Sequence, residues 1–201
     1  MMIDLPPNLP PQAEYVMLMD ASQNASNKRL KVVDLKTKTV VLETTVAHGA
    51  GSDRNKDGYA ESFSNTQDSH QTSLGLYRVA EEYTGQYGTS YRLDGLDKTN
   101  SNARQRAVVL HPAPYVTDRG AGRSWGCPAI SFDALKTLKT KGVLNAQTYL
   151  VIYTPSTQTN WTAYKPTPII KEHIWTTTPS LQTKISYVPL HKEIMHHLAM
   201  L

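Results

Sequence analysis

Residues 14–154 carry short, β-branched apolar runs separated by turn signals, with a single helical pattern among them. That rhythm constrains the fold more than any other feature of the chain. Residues 15–19 read as an apolar strand. Residues 29–35 and 39–46 alternate in part with period two, and Lys36-Thr37-Lys38 between them reads as a hairpin turn. Residues 76–80 form a further strand, residues 104–110 a strand that runs into a glycine-rich loop, and residues 150–153 the strand that closes the sheet. Residues 133–141 are the clear helix, ending near Gly142. Elements of this length and order predict a mainly β domain, a sandwich or barrel with one or two short helices.

The two ends of the chain differ from this middle. Residues 1–13 hold Pro6, Pro7, Pro10 and Pro11 and read as an extended arm. Residues 155–201 are rich in Thr and Pro and end in a short helical run, residues 191–198, where His191, His196 and His197 cluster at a helix end. This C-terminal extension is expected to pack along the domain; a lid or a dimer arm is the functional alternative. No internal repeat is visible.

Composition excludes several function classes. At 39% hydrophobic and 19% charged, the chain matches an ordinary folded protein rather than a disordered one. No stretch approaches the roughly 20 apolar residues of a membrane span. The net charge of +4 favours acidic partners weakly, and the lysines are scattered, so no nucleic-acid footprint is expected. Residues 1–27 contain no Lys or Arg and no apolar run of signal-peptide length, which predicts a cytoplasmic protein, or a periplasmic one if an export signal has been removed. The single cysteine, Cys127, fits a reducing compartment.

Cys127 ends the segment HPAPYVTDRGAGRSWGC, which begins at His111. A strand-like run, residues 107–110, delivers His111, and a glycine-rich loop leads to Arg123-Ser124-Trp125-Gly126-Cys127-Pro128. A lone cysteine is ordinarily a small buried hydrophobe. Here Gly126 permits close backbone approach, Pro128 fixes the exit, and a histidine precedes after an apolar strand. An imidazole that takes the thiol proton and a thiolate that attacks a carbonyl form the minimum kit for nucleophilic catalysis. A cation such as Arg123 or protonated His111 would favour the thiolate.

The His, spacer, Ser-x-Gly-Cys arrangement resembles the catalytic signature of the L,D-transpeptidase catalytic domain, the YkuD-like fold. Residues 72–79, TSLGLYRV, resemble the TPxGxF segment that these domains carry before the catalytic strand. Residues 130–135 and 148–153 resemble their closing helix and strand. The resemblance covers residues 14–154. Trp125 stands where the commonest pattern has His, and Ala129 where it has Arg; a subgroup with Arg-Ser-x-Gly-Cys-Pro matches better, and Arg123 then supplies the cation from the other side of the nucleophile.

The resemblance implies an L,D-transpeptidase-type fold in which Cys127 is the nucleophile and His111 the general base and then acid, oriented by the carbonyl of Pro112 or Ala113. Backbone N–H groups of Trp125, Gly126 and Cys127 would form the oxyanion hole. Arg123, Ser124, Tyr77 and His70 are the expected substrate contacts. The implied substrate is a peptidoglycan tetrapeptide or muropeptide, attacked at the carbonyl of its third residue with D-Ala leaving; carbapenem-type lactams are the implied inhibitors. Without an export signal the expected activity is an L,D-carboxypeptidase of muropeptide recycling. Formation of 3-3 crosslinks is the alternative, and a silent wall-binding module the alternative of another class. No cofactor and no metal are expected.

Two other constellations need weighing. Asp53-x-Asn55-x-Asp57-Gly58 copies the first half of a calcium loop, but its twelfth position is Ser64 rather than a bidentate Glu, so a polar turn is expected. His48, His70, His111 and Cys127 are chemically suitable zinc ligands without a closely spaced pair to anchor them. His48 and His70 could line the cleft, and His48 is expected to be a surface or hydrogen-bonded loop histidine.

Overall fold

A computed structural model of the chain describes residues 5–158. The expected helix at residues 191–198, its histidines and nearly all of the C-terminal extension lie outside the described residues. The strands are β1 (Tyr15–Asp20), β2 (Leu30–Asp34), β3 (Thr39–Thr44), β4 (His48–Gly49), β5 (Gly75–Gly85), β6 (Gly88–Gly95), β7 (Val109–Pro112), β8 (Val116–Thr117), β9 (Gly120–Ala121), β10 (Arg123–Ser124), β11 (Ala129–Ile130) and β12 (Thr148–Tyr153). The helices among the described residues are α1 (Phe132–Thr140) and the single turn α2 (Pro155–Gln158). The fold is mainly β, as the sequence predicts.

Eight strands form one mixed sheet in the order β11-β7-β6-β5-β12-β1-β2-β3. β1 with β12 and β7 with β11 are parallel; the other pairs are antiparallel. Two ribbons, β4 with β10 and β8 with β9, stand apart from it. α1 packs against both β3 and β7, strands from opposite ends of the order, and so closes the sheet over one core.

The central strands are buried on both faces. Met17 and Met19 of β1 join Leu30, Val32, Leu93, Leu110, Leu138, Leu150 and Ile152 on one side. Val16 and Leu18 join Val33, Leu76, Tyr149 and Val151 on the other, where Leu5, Leu9 and Ala13 of the proline-rich segment pack against them. Two-sided burial explains why YVMLM and YLVIY are continuous apolar runs rather than alternating ones. In α1 the Ser131 hydroxyl accepts the Ala134 N–H at 3.1 Å, Asp133 sits in the first turn and Lys139 in the last. Ala134, Leu135 and Leu138 form its buried face.

Two strand boundaries differ from expectation. The strand expected at residues 76–80 runs on to Gly85 and turns back as β6, an element not foreseen. Its outer half is exposed, so Glu81, Glu82 and Tyr83 show no apolar alternation, and the ladder shifts register between Val79 and Glu82. Of residues 104–110, only Val109 and Leu110 are strand; Arg104 to Ala107 form turns, with Ala107 at φ 53. That irregular approach is used at the site.

Candidate active site

β7 ends in His111 and Pro112, and β11 lies parallel to it with Ala129 opposite His111. Cys127, two residues before Ala129, therefore arrives beside the strand that carries the histidine. Ser124 shapes the turn between them: its hydroxyl accepts the Gly126 N–H at 3.1 Å and donates to the Cys127 carbonyl at 2.6 Å. Ser124 is buried and spends its hydroxyl on this turn, so its role is positioning rather than the substrate contact expected of it. The Gly126 N–H, expected to serve an oxyanion, is engaged by this turn. Gly126 has φ +118, and a Cβ there would lie 2.9 Å from the Gln71 carbonyl and 3.2 Å from the Arg106 guanidinium. Glycine is required by both conformation and space.

The half-buried Cys127 points its sulfur toward the Ala107 carbonyl, 3.7 Å away. Burial pushes the thiol above its ordinary range, against the opposing pull of the Val109 N–H and of Arg106. His111 Nδ1 lies 2.9 Å from the Pro112 carbonyl, which assigns the proton to Nδ1 and leaves Nε2 as a base. Burial holds the imidazole below its ordinary range, with the Pro112 bond acting the other way. Both shifts favour the neutral forms, thiol and imidazole, at neutral pH.

Several of the neighbours were not foreseen. Arg106 is the cation that acts on the thiol. Its guanidinium donates to the carbonyls of Ser64 at 2.9 Å and Gln71 at 2.6 Å and to the Ser73 hydroxyl at 3.1 Å, tying residues 64–73 to the nucleophile loop. Arg123, the cation expected there, instead donates to the Asp53 carbonyl at 3.1 Å. Tyr87, in the β5–β6 turn, stacks on His111 with centroids 6.2 Å apart, and Tyr115 meets Tyr87 edge-on at 6.4 Å. Tyr77, the aromatic expected to touch substrate, is 0% exposed. Its hydroxyl donates to the Ser73 carbonyl at 2.8 Å and lies 2.6 Å from the Ser73 hydroxyl, and burial pushes it up to about 12. Tyr77 supports the Arg106-bound turn from beneath instead of lining the cleft, because its place on β5 faces the core.

β4 lies under the nucleophile loop, paired with β10 so that His48 faces Arg123 and Gly49 faces Ser124. A Cβ at Gly49 would collide with the His70 carbonyl and come within 2.9 Å of the Gly126 Cα. His48 is no surface residue: it is 0% exposed, with Nδ1 2.7 Å from an Arg29 Nη and Nε2 3.4 Å from an Asp53 carboxylate oxygen. Burial, reinforced by Arg29, holds His48 down at about 4, so it stays neutral. Burial lowers Arg29 to about 10, which leaves it cationic at neutral pH. The Asp53 carboxylate also accepts the N–H groups of Asp57 at 3.1 Å and Gly58 at 3.2 Å, which makes the calcium-like segment a self-satisfied polar turn. Both His48 nitrogens face protein groups, a poor arrangement for a zinc ligand.

Trp125 projects into solvent, 77% exposed, and stacks on His70 at 4.9 Å with an interplanar angle of 9°. The structure thus brings His70 to the nucleophile loop, held by a backbone with φ 53. Trp125 also lines an open cleft of about 530 Å³ together with Ala50, Asp53, Arg54, Lys56, Gly122 and Arg123.

Comparison with solved structures gives remote likenesses. Bd1075 of Bdellovibrio bacteriovorus is 18% identical, with 70% of this chain and 48% of that one covered and a TM-score of 0.42. An L,D-transpeptidase from Xylanimonas cellulosilytica is 14% identical, with 70% and 61% covered and a TM-score of 0.41. The L,D-transpeptidase LdtMt1, solved in complex with imipenem, is 12% identical, with 70% and 59% covered and a TM-score of 0.41. The chain spans less than two thirds of the length of each. Comparison with curated protein sequences finds no match. A family model, that of the L,D-transpeptidase catalytic domain, matches residues 8–153. This chain belongs to the L,D-transpeptidase catalytic domain family.

Proposed function

We propose that this protein is a cysteine-dependent L,D-carboxypeptidase that removes the terminal D-Ala from peptidoglycan tetrapeptides. Membership of the family supports a cysteine enzyme acting on peptidoglycan. The observation that supports the reaction is the pairing of strands β7 and β11, which brings the Cys127 turn alongside the strand that carries His111, whose Nδ1 is fixed by the Pro112 carbonyl. In this reading His111 Nε2 takes the Cys127 proton as the sulfur attacks the carbonyl carbon of the third residue. The N–H groups of Trp125 and Cys127 hold the oxyanion. Collapse breaks the peptide bond, His111 returns its proton to the departing D-Ala amine, and a thioester remains. Water then attacks, giving up its proton to His111, and the tripeptide leaves with the thiol restored.

Water is the simplest second nucleophile, since it needs only the base already in place. Transfer of the same acyl group to a stem-peptide amine, giving a 3-3 crosslink, is the other outcome of this intermediate. Free muropeptides need no polymerised wall, and in this reading the protein works in muropeptide recycling in the cytoplasm, which fractionation of cells checks. Incubation with tetrapeptide, with and without acceptor peptide, separates the two chemistries: equal amounts of D-Ala and tripeptide, unaffected by acceptor, support hydrolysis. Dimeric product as the main species overturns it in favour of transpeptidation. Intact-protein mass spectrometry after carbapenem treatment is expected to show one adduct, absent in Cys127→Ala. An unmodified wild type that also leaves tetrapeptide intact would favour a silent wall-binding module.

A further inference from the structure

The cleft beside Trp125 has a charge pattern that the acyl-transfer step does not use. Three of its lining residues, Arg54, Lys56 and Arg123, are cationic, and none of the three has an ion-pair partner among the described residues. Arg78, Arg92, Arg104, Lys31 and Lys139 meet carboxylates, and the other surface cations without an ion pair among the described residues, such as Lys36, Lys98 and Lys136, do not line this cleft. What marks it is three cations converging on one concave site. One acidic residue, Asp53, lines the cleft, and its charge is drawn inward. It is 2% exposed, its oxygens accept the N–H groups of Asp57 and Gly58, and it faces the buried chain of His48 and Arg29. The Arg29 cation beneath the floor offsets the Asp53 anion, so the rim cations act on the cleft unopposed. The carboxylates of Asp57 and Glu61 share the Asn55 amide and do not line the cleft.

Position and size fit a ligand that continues past the nucleophile. Arg123 and Trp125 lie four and two residues before Cys127 on one rigid turn, so anything in the cleft is held at a fixed offset from the sulfur. Arg123 is pinned by one nitrogen to the Asp53 carbonyl at 3.1 Å, which leaves the rest of its guanidinium fork to grip a carboxylate. Trp125, exposed and stacked on His70, adds a flat aromatic face to the cleft lining.

We propose that the cleft formed by Arg54, Lys56, Arg123 and Trp125 is a carboxylate subsite that selects donor peptides whose acidic side groups are free over those in which they are amidated. This inference rests on the peptide-cleaving reading above and gives it a specificity. The cleft holds the acidic part of the donor while the attacked carbonyl sits at Cys127.

Two tetrapeptides that differ only in amidation of their internal carboxylates test it. Binding is measured on full-length Cys127→Ala protein, and D-Ala release on wild type. The acidic peptide is expected to bind about tenfold more tightly than the amidated one, and the advantage to shrink as ionic strength rises. In Arg54→Gln/Lys56→Gln, whose changes are on exposed side chains, the advantage is expected to fall about fivefold, while alkylation of Cys127 by iodoacetamide keeps its wild-type rate. Equal binding of the two peptides, binding of neither, or a double variant that keeps the full preference would overturn the subsite. Release of D-Ala at equal rates from both peptides also overturns it while leaving the carboxypeptidase reading intact. Preferential binding without any D-Ala release does the reverse.

Discussion

The centre of the sheet and the loops around Cys127 are held together by different physics. β1 and β12 present buried apolar side chains on both faces, and their stability comes from area removed from water. The loops at residues 47–73 and 120–127 hold few of the buried apolar side chains and are held by directional bonds. Arg106 ties residues 64–73 down, Ser124 closes the nucleophile turn, and Arg29 and Asp53 brace β4 through His48. Apolar burial sets how much the fold is worth; the polar bonds set where the sulfur is. The two should therefore come apart under mutation.

The largest expected effect is on chemistry alone. Cys127→Ala should reduce D-Ala release by about a thousandfold or more with the melting temperature unchanged; appreciable turnover by the folded variant would remove the thiol from the mechanism. A paired substitution then separates the regions. Leu150→Ala, in the fully buried centre of β12, should cost about 2–5 kcal/mol in denaturant unfolding and leave the alkylation rate of Cys127 in the folded protein as it was. Gly126→Ala should act chiefly on the sulfur's position: misplacing the turn costs about a hundredfold in kcat/KM and changes the alkylation rate of Cys127, beside a strain cost of about 1–3 kcal/mol in stability. If both variants changed both readouts in proportion, the division into two regions would fail.

A smaller effect joins the regions through pH. The unfolded chain binds a proton at His48 from its ordinary value of 6.5 downward, whereas the folded chain does not until about 4. The unfolded state thus holds more protons in this window, and stability falls as pH drops through it, by about 3 kcal/mol. His48→Asn, which keeps an acceptor for Arg29, should flatten that slope in unfolding curves taken across the window. The smallest effect is expected at Arg106→Gln. Without the guanidinium charge the thiol rises further, so alkylation at a fixed pH slows several-fold and its pH curve moves upward. An unmoved curve would assign Arg106 to loop anchoring alone.

What was legible in the sequence follows the range of the forces involved. The strands at Tyr15, Leu30, Thr39 and Leu150 announce themselves by continuous or alternating apolar runs, and α1 by its helical pattern and its Gly142 stop. β6 was missed because a half-exposed ribbon has no apolar stripe; the Gly85-Gln86-Tyr87-Gly88 turn was the available signal. Tyr77 was misplaced because strand membership does not say which face a side chain takes when both faces are buried.

Residue types that are rare and chemically committed speak for themselves. One cysteine after Ser-x-Gly, with a histidine at the end of an apolar strand, pointed to thiol–imidazole chemistry before any coordinates, since candidates for nucleophile and base are recognised by side-chain identity more than by surroundings. Tertiary structure alone decided which arginine acts on the thiol, because Arg106 is set in place by the carbonyls of Ser64 and Gln71, distant in sequence from both Arg106 and Cys127. It also decided that His48 is a buried neutral brace and that Arg54 and Lys56 share a cleft with Arg123. These are contacts across tens of residues of chain, and electrostatics at a site depends on distance and burial, which no local pattern of residues encodes.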